Sequence, residues 1–348
     1  MTTEIQSAHY LRHFPITQLE GTKMDHKVVS SFDSIYRALL KRSLNEMEKD
    51  EISKQYKSDD SQSFDLENAL RSIIDSDEFF AANREWLFQK FIPEPCVVRA
   101  KGPLGDDLFV DLRQFHLGFA IAVGHFEPAE VAFVRSYIKP GFNILDIGAN
   151  VGFFTNMFAR LTGLSGSVHA FEPVGESYRK LVASIRANGW EQNVQTYQLA
   201  LADRSGTMDI AYAERSLNMG GAHLASEGEP KTGERRERVQ IARLDEVVPL
   251  GRYDFIKIDV EGAEWLVLQG AGSILQTYRP TIMIEFNPNQ LKLVSNIDHE
   301  FLAKHLLSYG YRFHEIEESG ILREMRQPVD DINTALQRAE IVNVVLMP

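Results

Sequence analysis

The sequence of 348 residues is 44% hydrophobic and 25% charged, which is typical of a globular protein with room for a domain of about 200 residues and a smaller module. One cysteine, Cys96, excludes an internal disulfide and a cysteine-based metal cluster in a single chain, and a formal net charge of −12 argues against a nucleic-acid partner. No run reaches the roughly 18 apolar residues that span a bilayer, and the first residues lack the apolar segment of a signal peptide, so we expect a cytoplasmic protein without a membrane span.

The first part of the chain, residues 1–92, is predicted to form an N-terminal helical module with a polar linker. Apolar residues recur there at helical spacing. Pro93 and Pro95 break this pattern. Two short strand-like runs follow, CVVRA and DDLFVDL, so residues 93–125 are predicted to be a strand hairpin and a lead-in segment.

Short apolar runs alternate with helical stretches over residues 126–348. This alternation is typical of a parallel sheet with crossover helices. The predicted strands are 143–147, 167–171, 194–199, 254–259, 281–286, 311–316 and 341–347, and helices are expected after Gly152, Gly175, Gly262 and Asp298. The pattern predicts an α/β fold: a Rossmann-like, seven-stranded, mostly parallel sheet with helices on both faces. The polar segment 214–238, between two strand-like runs, is predicted to be a mobile loop.

The segment LDIGANVGFFT, residues 145–155, joins the first of these strands to a helix. Gly148 allows a sharp turn at the end of the strand, and Gly152 allows the helix start to approach a ligand closely. Asn150 between them tolerates positive φ better than most residues. The first N–H groups of a helix have no partner within it, so they can bind a carboxylate or a phosphate. We therefore expect a cofactor to bind between Asp146 and Thr155.

The residues of this loop favour S-adenosylmethionine as the cofactor. A dinucleotide-binding loop has glycines in the pattern G-x-G-x-x-G, whereas Asn150 and Phe153 occupy the second and third positions here. Asp146 would face a pyrophosphate unfavourably, but it can accept a hydrogen bond from the amino group of a methionine moiety or from a bridging water. The Gly-Lys-Ser/Thr of an ATP-binding loop does not follow.

Two further acids follow at later strand ends. Glu172 ends the second predicted strand, where an acid typically accepts hydrogen bonds from the two hydroxyls of a ribose. Asp203 follows the third strand and could accept the adenine amino group. A purely structural role for Asp203, as a turn residue before Gly206, is an equally good interpretation.

Four carboxylates are expected at one edge of the sheet. Asp259, Glu261 and Glu264 follow the fourth strand in DFIKIDVEGAEW, and Glu285 ends the fifth strand in TIMIEF. Open α/β sheets bind ligands at the carboxyl ends of their strands, so we interpret Asp259, Glu261 and Glu285 as candidate catalytic bases and Glu264 as a substrate-binding residue. The alternative is structural, since acids near Gly262 also stabilise the start of a helix.

The remaining candidates lie in or near the polar segment. Asn218 is a candidate substrate-binding residue, and His223 a candidate catalytic residue for which an ordinary loop histidine is the alternative. The ten histidines form no H-E-x-x-H pair, so the sequence does not predict a zinc site. A divalent metal such as magnesium at Asp259, Glu261 or Glu285 stays open, because hard oxygen ligands suit that ion.

The motifs LDIGANVGFFT, FEP, ALADRSG and DFIKIDVEGAE resemble the FkbM family of S-adenosylmethionine-dependent methyltransferases over about residues 120–348. The resemblance implies transfer of a methyl group to an oxygen, commonly a hydroxyl of a sugar or secondary metabolite. It assigns functional roles to Asp146, Gly148, Asn150, Gly152, Glu172, Asp203, Asp259, Glu261 and Glu264. The N-terminal phrase LRSIIDSDEF resembles sequences found ahead of bacterial surface-glycan enzymes, which points to a saccharide acceptor.

The sequence thus predicts an O-methyltransferase that uses S-adenosylmethionine and acts on a small-molecule or glycan acceptor, in a chain that can form a homo-oligomer. Two other classes stay open at this point. A non-catalytic module that binds S-adenosylmethionine would keep the glycine loop but lack an acceptor pocket. A nucleotide-linked oxidoreductase would share the fold but not the loop pattern.

Overall fold

A computed structural model describes residues 96–213, 223–224, 234–249 and 251–348, all of which belong to one compact unit, Phe91–Pro348. The predicted N-terminal helical module lies outside the described residues. The domain boundaries expected from the sequence therefore stay predictions. None of the described helices is long and apolar enough to cross a membrane.

The unit contains fourteen described strands and ten described α-helices. The strands are β1 Val97–Lys101, β2 Asp107–Asp111, β3 Asn143–Ile147, β4 Ser167–Phe171, β5 Val194–Tyr197, β6 Ala200–Leu201, β7 Gly206–Ala213, β8 His223–Leu224, β9 Glu234–Ala242, β10 Phe255–Ile258, β11 Thr281–Phe286, β12 Arg312–Ile316, β13 Leu322–Glu324 and β14 Val342–Met347. The α-helices are α1 Ala120–Ala122, α2 Pro128–Tyr137, α3 Phe153–Thr162, α4 Gly175–Asn188, α5 Leu244–Val247, α6 Glu264–Gly270, α7 Gly272–Tyr278, α8 Pro288–Gln290, α9 His299–Ser308 and α10 Pro328–Leu336. Short 3₁₀ or π turns cover Phe115–Phe119, Gly163–Ser165 and Leu291–Ser295.

The main sheet has the strand order β13-β12-β14-β11-β10-β3-β4-β5. Strands β5, β4, β3, β10 and β11 pair in parallel, whereas β14 runs antiparallel to both β11 and β12. All seven strands predicted for this sheet are present, so the predicted α/β fold with a mostly parallel sheet is confirmed. An eighth strand, β13, pairs with β12 at the edge; at three residues it is too short to give a sequence pattern.

Both faces of the sheet are covered by helices, as predicted. Successive residues of a strand point to opposite faces, and Ile144 and Leu145 accordingly belong to two different buried clusters. One cluster includes Phe158 from α3 and Leu181 from α4; the other includes residues of α6, α7 and α9. Burial on both faces explains why the parallel strands read as nearly continuous apolar runs.

A second sheet corrects one expectation. Its order is β6-β9-β7-β8, and β9 pairs antiparallel with β7 from Glu234 opposite Ala213 to Ile241 opposite Gly206. The prediction of a loop through residue 238 is therefore wrong from Glu234 onward. The charged run ERRERV lacks the apolar pattern that predicts a strand. Its charges are compatible with a strand because they pair with residues of the neighbouring strand: Arg238 Nε lies 2.6 Å from Asp209 Oδ1.

The hairpin of β1 and β2 is antiparallel and turns near Gly105, within the stretch where the sequence predicts it. It is fixed to helix α4 by hydrogen bonds. Asp107 N donates to Asn188 Oδ1 at 2.9 Å, and Phe109 N donates to Ser184 Oγ at 3.1 Å. The hairpin is thus a fixed part of the unit.

Candidate functional site

The glycine loop turns sharply between β3 and α3. Gly148, Asn150 and Gly152 all have positive φ, at 85°, 50° and 88°. Asn150 therefore adopts the left-handed conformation that its sequence position suggested, at a place where many nucleotide-binding loops carry glycine. The backbone N–H of Asn150 points to Glu172 Oε2 at 2.9 Å, which joins the loop to the end of β4.

The two glycines of the loop have different neighbours. A Cβ atom on Gly148 would lie 1.8 Å from the backbone oxygen of Asp259, so this glycine lets the ends of β3 and β10 meet. A Cβ atom on Gly152 would lie 2.7 Å from Leu181 Cδ1. Gly152 therefore allows α3 to pack on α4, and the expectation that it makes room for a ligand is corrected: it lines neither cavity described below.

A first cavity, named here the Glu172 cavity, opens at the carboxyl ends of β3, β4 and β10 and encloses about 580 Å³, counting space open to solvent. Its walls are mainly apolar and include Phe171, Leu201 and Leu224. Glu172 is buried, and its oxygens accept hydrogen bonds from Val174 N at 2.8 Å and Asn150 N at 2.9 Å. Burial raises the pKa of Glu172 to about 7 although these two bonds lower it. Each carboxylate oxygen keeps a further lone pair, so a pair of hydroxyls can bind there.

A second cavity, the Lys257 cavity, encloses about 820 Å³ on the other side of the glycine loop. Five carboxyl groups line it: Glu127, Asp146, Asp259, Glu261 and Glu285. The two cavities meet, because Gly148, Asn150, Asp259 and Glu261 line both of them. The structure thus brings together the three candidate bases of the sequence analysis, and Asp259 and Glu261 lie at the junction.

Lys257 is a functional candidate that the sequence analysis missed. Its side chain is buried in β10, with Nζ 2.8 Å from Asp259 Oδ2 and 5.2 Å from the centre of the Phe154 ring. Burial alone would lower its pKa, but the surrounding carboxylates, above all Asp259 and Asp146, outweigh burial and raise it. A lysine within the otherwise apolar run FIKI was the available signal, since such a strand is buried on both faces.

Several oxygens of this site have no hydrogen-bond partner in the described part of the chain. Asp146 is fully buried; its Oδ2 accepts from Thr155 Oγ1 at 2.5 Å, but Oδ1 has no partner. Glu285 Oε1 and Asn150 Oδ1 are likewise buried and unpartnered. All three residues line the Lys257 cavity and all three atoms are acceptors, so the cavity is suited to a ligand that donates hydrogen bonds or carries positive charge.

Three glutamate carboxyl groups of the Lys257 cavity hold their protons more tightly than usual. Burial, reinforced by the charge of Asp259, raises the pKa of Glu261 to about 8. The same two causes raise the pKa of Glu285 and of Glu127 well above the ordinary value. Glu127, which precedes α2, is a second residue that the sequence analysis missed. No local pattern marks it, because only the fold brings it to this cavity.

Two residues assigned to the cofactor lie elsewhere. Asp203 lines neither cavity; it forms an ion pair with Arg204 at 3.0 Å in the turn before Gly206, which is the structural alternative considered above. Thr155 is buried and contributes indirectly, by donating its hydroxyl to Asp146.

Glu264 is also displaced from its expected role. Its Oε1 accepts hydrogen bonds from the backbone N–H groups of Val260 at 3.2 Å and Gly262 at 3.1 Å. It is 1% exposed and lines neither cavity, so it cannot contact an acceptor there. Glu264 instead holds the backbone on both sides of Glu261.

The remaining candidates are only partly covered by the structure. His223 lies in β8, opposite Ala211 of β7, and its neighbour Leu224 lines the Glu172 cavity. Asn218 lies outside the described residues. Among the residues that are described, no group of three or more histidine, cysteine, aspartate or glutamate side chains has the geometry to hold a metal ion.

The chain is similar to known methyltransferases. Residues 146–313 match the family described as the Methyltransferase FkbM domain. The 31-O-demethyl-FK506 methyltransferase FkbM of Streptomyces tacrolimicus is 29% identical over 163 residues, covering 38% of this chain and 60% of that protein. The methyltransferase sdnD of Sordaria araneosa is 28% identical over 154 residues, covering 36% and 59%. The chain thus spans about 60% of the length of these curated relatives.

Solved structures show more distant similarity. A methyltransferase FkbM from Methylobacillus flagellatus KT is 14% identical with a TM-score of 0.39, covering 59% of this chain and 43% of that one. Aeropyrum pernix fibrillarin, solved with natively bound S-adenosyl-L-methionine, is 13% identical with a TM-score of 0.33, covering 60% and 66%. At these scores the likeness is too distant to extend to the site.

Proposed function

We propose that the protein is an S-adenosylmethionine-dependent O-methyltransferase that acts on a hydroxyl of a sugar, a glycan or a secondary metabolite, because residues 146–313 match the Methyltransferase FkbM domain. The observation that carries the proposal is the pair of cavities that meet at Asp259 and Glu261. One has a buried acid suited to a diol, and the other is rich in carboxylates.

The residues of the Glu172 cavity fit the adenosine part of the cofactor. Glu172 would accept hydrogen bonds from the two ribose hydroxyls, and Phe171, Leu201 and Leu224 offer an apolar environment for the adenine. The unpartnered Asp146 Oδ1 and Asn150 Oδ1 would accept from the methionine ammonium group. These orphaned acceptors are what makes the fit specific, because a buried acceptor without a partner is costly.

The acceptor is proposed to bind at the opposite end of the Lys257 cavity, near Glu285. Strand β10 separates β3, which carries Asp146, from β11, which carries Glu285. Adjacent strands lie about 4.8 Å apart, so β3 and β11 are separated by about 10 Å. The two side chains thus start from strands that are not neighbours, and the Glu285 Oε1, which has no partner among the described residues, is proposed to bind a second ligand rather than the ammonium group.

The cofactor supplies a methyl group on a positively charged sulfur, which a nucleophilic oxygen displaces directly. Glu285 is proposed to accept the hydroxyl proton in its ionised form, because its buried carboxyl has an oxygen without a partner among the described residues. Its raised pKa makes the ionised form less populated at neutral pH but a stronger base, so the rate should rise with pH. Asp259 is another candidate base from the sequence. Its Oδ2 already accepts a hydrogen bond from Lys257 Nζ at 2.8 Å, so Lys257 competes with a substrate hydroxyl for this carboxylate.

The proposal is tested by binding and turnover. Calorimetry on the full chain should give micromolar affinity for S-adenosylhomocysteine, on the order of −8 kcal/mol, with no competition from NAD or ATP. Binding of NAD as tight or tighter would end the proposal. Methyl transfer to a panel of sugars and hydroxylated metabolites then separates an enzyme from a module that only binds the cofactor. A glycan acceptor and a homo-oligomer stay predictions.

Turnover variants test the assignment of the base. Glu285→Gln should lower kcat about 100-fold or more with cofactor affinity roughly kept, because it removes the proton acceptor but preserves shape. Asp259→Asn and Glu261→Gln are the matched variants on the same edge. Near-wild-type rates in Glu285→Gln, with a large loss in either of the others, would reassign the base to that residue.

A further inference from the structure

We infer that Glu261 is the counter-charge of the cofactor's positively charged sulfur. Its carboxyl group is ionised when the positive sulfur lies beside it and protonated when the sulfur is neutral. The preference of the site for S-adenosylmethionine over its neutral-sulfur product therefore increases as pH rises. The inference rests on the proposed function, because it needs the cofactor in these two cavities. It concerns a residue other than the proposed base.

Glu261 lies where the sulfur of a bound cofactor is expected. The sulfur joins the ribose to the methionine chain, so a cofactor with its ribose at Glu172 and its ammonium at Asp146 has its sulfur near the junction of the two cavities. Among the described residues, only Asp259 and Glu261 supply carboxyl groups that line both cavities. Asp146 supports this orientation independently, because it lines the Lys257 cavity and is fully buried with no partner for its Oδ1 among the described residues.

The backbone holds Glu261 in place. Its φ of 51° lies in the left-handed region, which costs a non-glycine residue energy unless the surroundings impose it. The surroundings do so here: Glu264 Oε1 accepts from the N–H groups on either side, and Ser295 Oγ donates to the oxygen of Gly262 at 2.5 Å. The loop is therefore fixed with the Glu261 side chain at the junction.

The charged groups around Glu261 leave its carboxyl group available to a cationic ligand. Lys257 is the only lysine or arginine among the described residues that line the two cavities, and its ammonium is bound to Asp259. No lysine or arginine among the described residues forms an ion pair with Glu261. The groups around it are Asp259 and Glu264 on its own loop, Lys257 on β10, Glu285 on β11, Glu127 before α2, Asp146 on β3 and His116 in the turn after β2.

This environment determines how Glu261 titrates. Burial and the neighbouring carboxylates hold its pKa at about 8, so it is mostly protonated at pH 7 without a ligand. A positive sulfur beside it would lower that pKa, and the proton would leave as the cofactor binds. The neutral sulfur of S-adenosylhomocysteine would leave the proton in place.

The change in the protonation of Glu261 also fits the charge balance of methyl transfer. The carbon–sulfur bond breaks with its electron pair staying on sulfur, a carbon–oxygen bond forms, and the hydroxyl proton passes to Glu285. The site thus loses one positive charge on sulfur and gains one proton. The neutral sulfur no longer attracts the Glu261 carboxylate ionically, so Glu261 takes up a proton from solvent and release of the product is favoured.

The test measures affinity against pH. Calorimetry on the full chain between pH 6 and pH 7.5 compares S-adenosylmethionine with S-adenosylhomocysteine, and includes sinefungin, which carries an ammonium near the position of the methyl sulfonium. Release of one proton makes the association constant rise about tenfold per pH unit. Glu172 and Asp146 contact parts that all three ligands share, so we expect that rise for the two cationic ligands in addition to the slope measured for S-adenosylhomocysteine. Glu261→Gln should reduce the cationic slopes to that of S-adenosylhomocysteine, whereas the exposed Glu318→Gln should not.

The outcomes separate the two proposals. If neither cofactor form binds, the proposed function fails. If both bind with the same pH dependence, or if Glu261→Gln keeps the wild-type slope, the role of Glu261 is wrong while the proposed function stands. Loss of the slope in Glu285→Gln but not in Glu261→Gln would also overturn it. Should Glu261→Gln fold poorly, Glu261→Gly repeats the test, because glycine suits the left-handed backbone at this position.

Discussion

Gly148→Ala is the sharpest test of the glycine loop. At φ 85° an alanine is strained, which costs about 1 kcal/mol or somewhat more. The added Cβ would also lie 1.8 Å from the backbone oxygen of Asp259, so β3 and β10 must separate at their ends or the loop must shift. Overpacking of this kind costs typically about 1–3 kcal/mol. We therefore expect a total loss of about 2–4 kcal/mol in the free energy of unfolding.

The chain offers a matched control at Gly105. Its φ is 82°, and a Cβ atom there would meet nothing within 4 Å. Gly105→Ala therefore pays only the strain of the left-handed backbone, about 1 kcal/mol. The difference between the two variants isolates the contact with Asp259. Urea denaturation of both variants, followed by tryptophan fluorescence and circular dichroism, gives the two free energies, and calorimetry with S-adenosylhomocysteine gives the affinities.

Cofactor affinity should separate the variants further. A shift of the loop at Gly148 moves Asn150 away from Glu172 and disturbs the junction of the cavities, so Gly148→Ala should weaken binding at least tenfold while Gly105→Ala leaves it unchanged. Equal losses of stability in the two variants would refute the close approach of the strand ends. Wild-type affinity in Gly148→Ala would refute the position of the loop in the site.

Three other predictions follow from the contacts. Glu172→Ala should weaken S-adenosylhomocysteine binding by about 1.5–3 kcal/mol in calorimetry, whereas Asp203→Ala, outside both cavities, should leave the affinity unchanged. A larger loss of affinity in Asp203→Ala than in Glu172→Ala would mean that the adenosine lies elsewhere. Lys257→Met should lower the free energy of unfolding at pH 7.5 by about 2–4 kcal/mol, because it leaves Asp146 buried without its cation. This loss should become smaller toward pH 5, because the raised pKa of Asp146 allows its carboxyl group to be protonated there. A loss below about 1 kcal/mol at pH 7.5 would contradict the prediction. Turnover should fall on acidification as Glu285 becomes protonated, and a flat rate profile between pH 6 and pH 9 would argue against a carboxylate base.

The main sheet could be predicted from the sequence because its strands are short apolar runs with clear ends. NILDI, SVHAF and TIMIEF became β3, β4 and β11 with the predicted bounds. Strand β9 could not be predicted in full, because its first half is charged and its pairing with β7 depends on cross-strand partners such as Asp209. A pattern of hydrophobicity does not report such partners.

The site was predicted less completely, for a physical reason. A motif gives the position of a residue along the chain but not the direction of its side chain. Gly152 and Glu264 lie in the predicted loops, yet one faces a neighbouring helix and the other its own backbone. Glu127 comes from a distant segment, and Lys257 was hidden in a strand that was interpreted only for its apolar character.

The run KIDVEGAE explains how one short segment can supply several parts of a site. Lys257 is the last but one residue of β10 and holds Asp259 two positions later. Glu264 folds back to bind the backbone around Glu261, and Gly262, at φ 95°, fits against the backbone oxygen of Gln290, where a Cβ atom would lie 2.3 Å away. Each residue thus fixes a neighbour, and Glu261 is the carboxyl group of this segment that has no ion-pair or hydrogen-bond partner among the described residues. A segment organised in this way places one carboxyl group without a bound cation at the junction of two cavities, which is what a site needs in order to respond to a ligand that changes charge during the reaction.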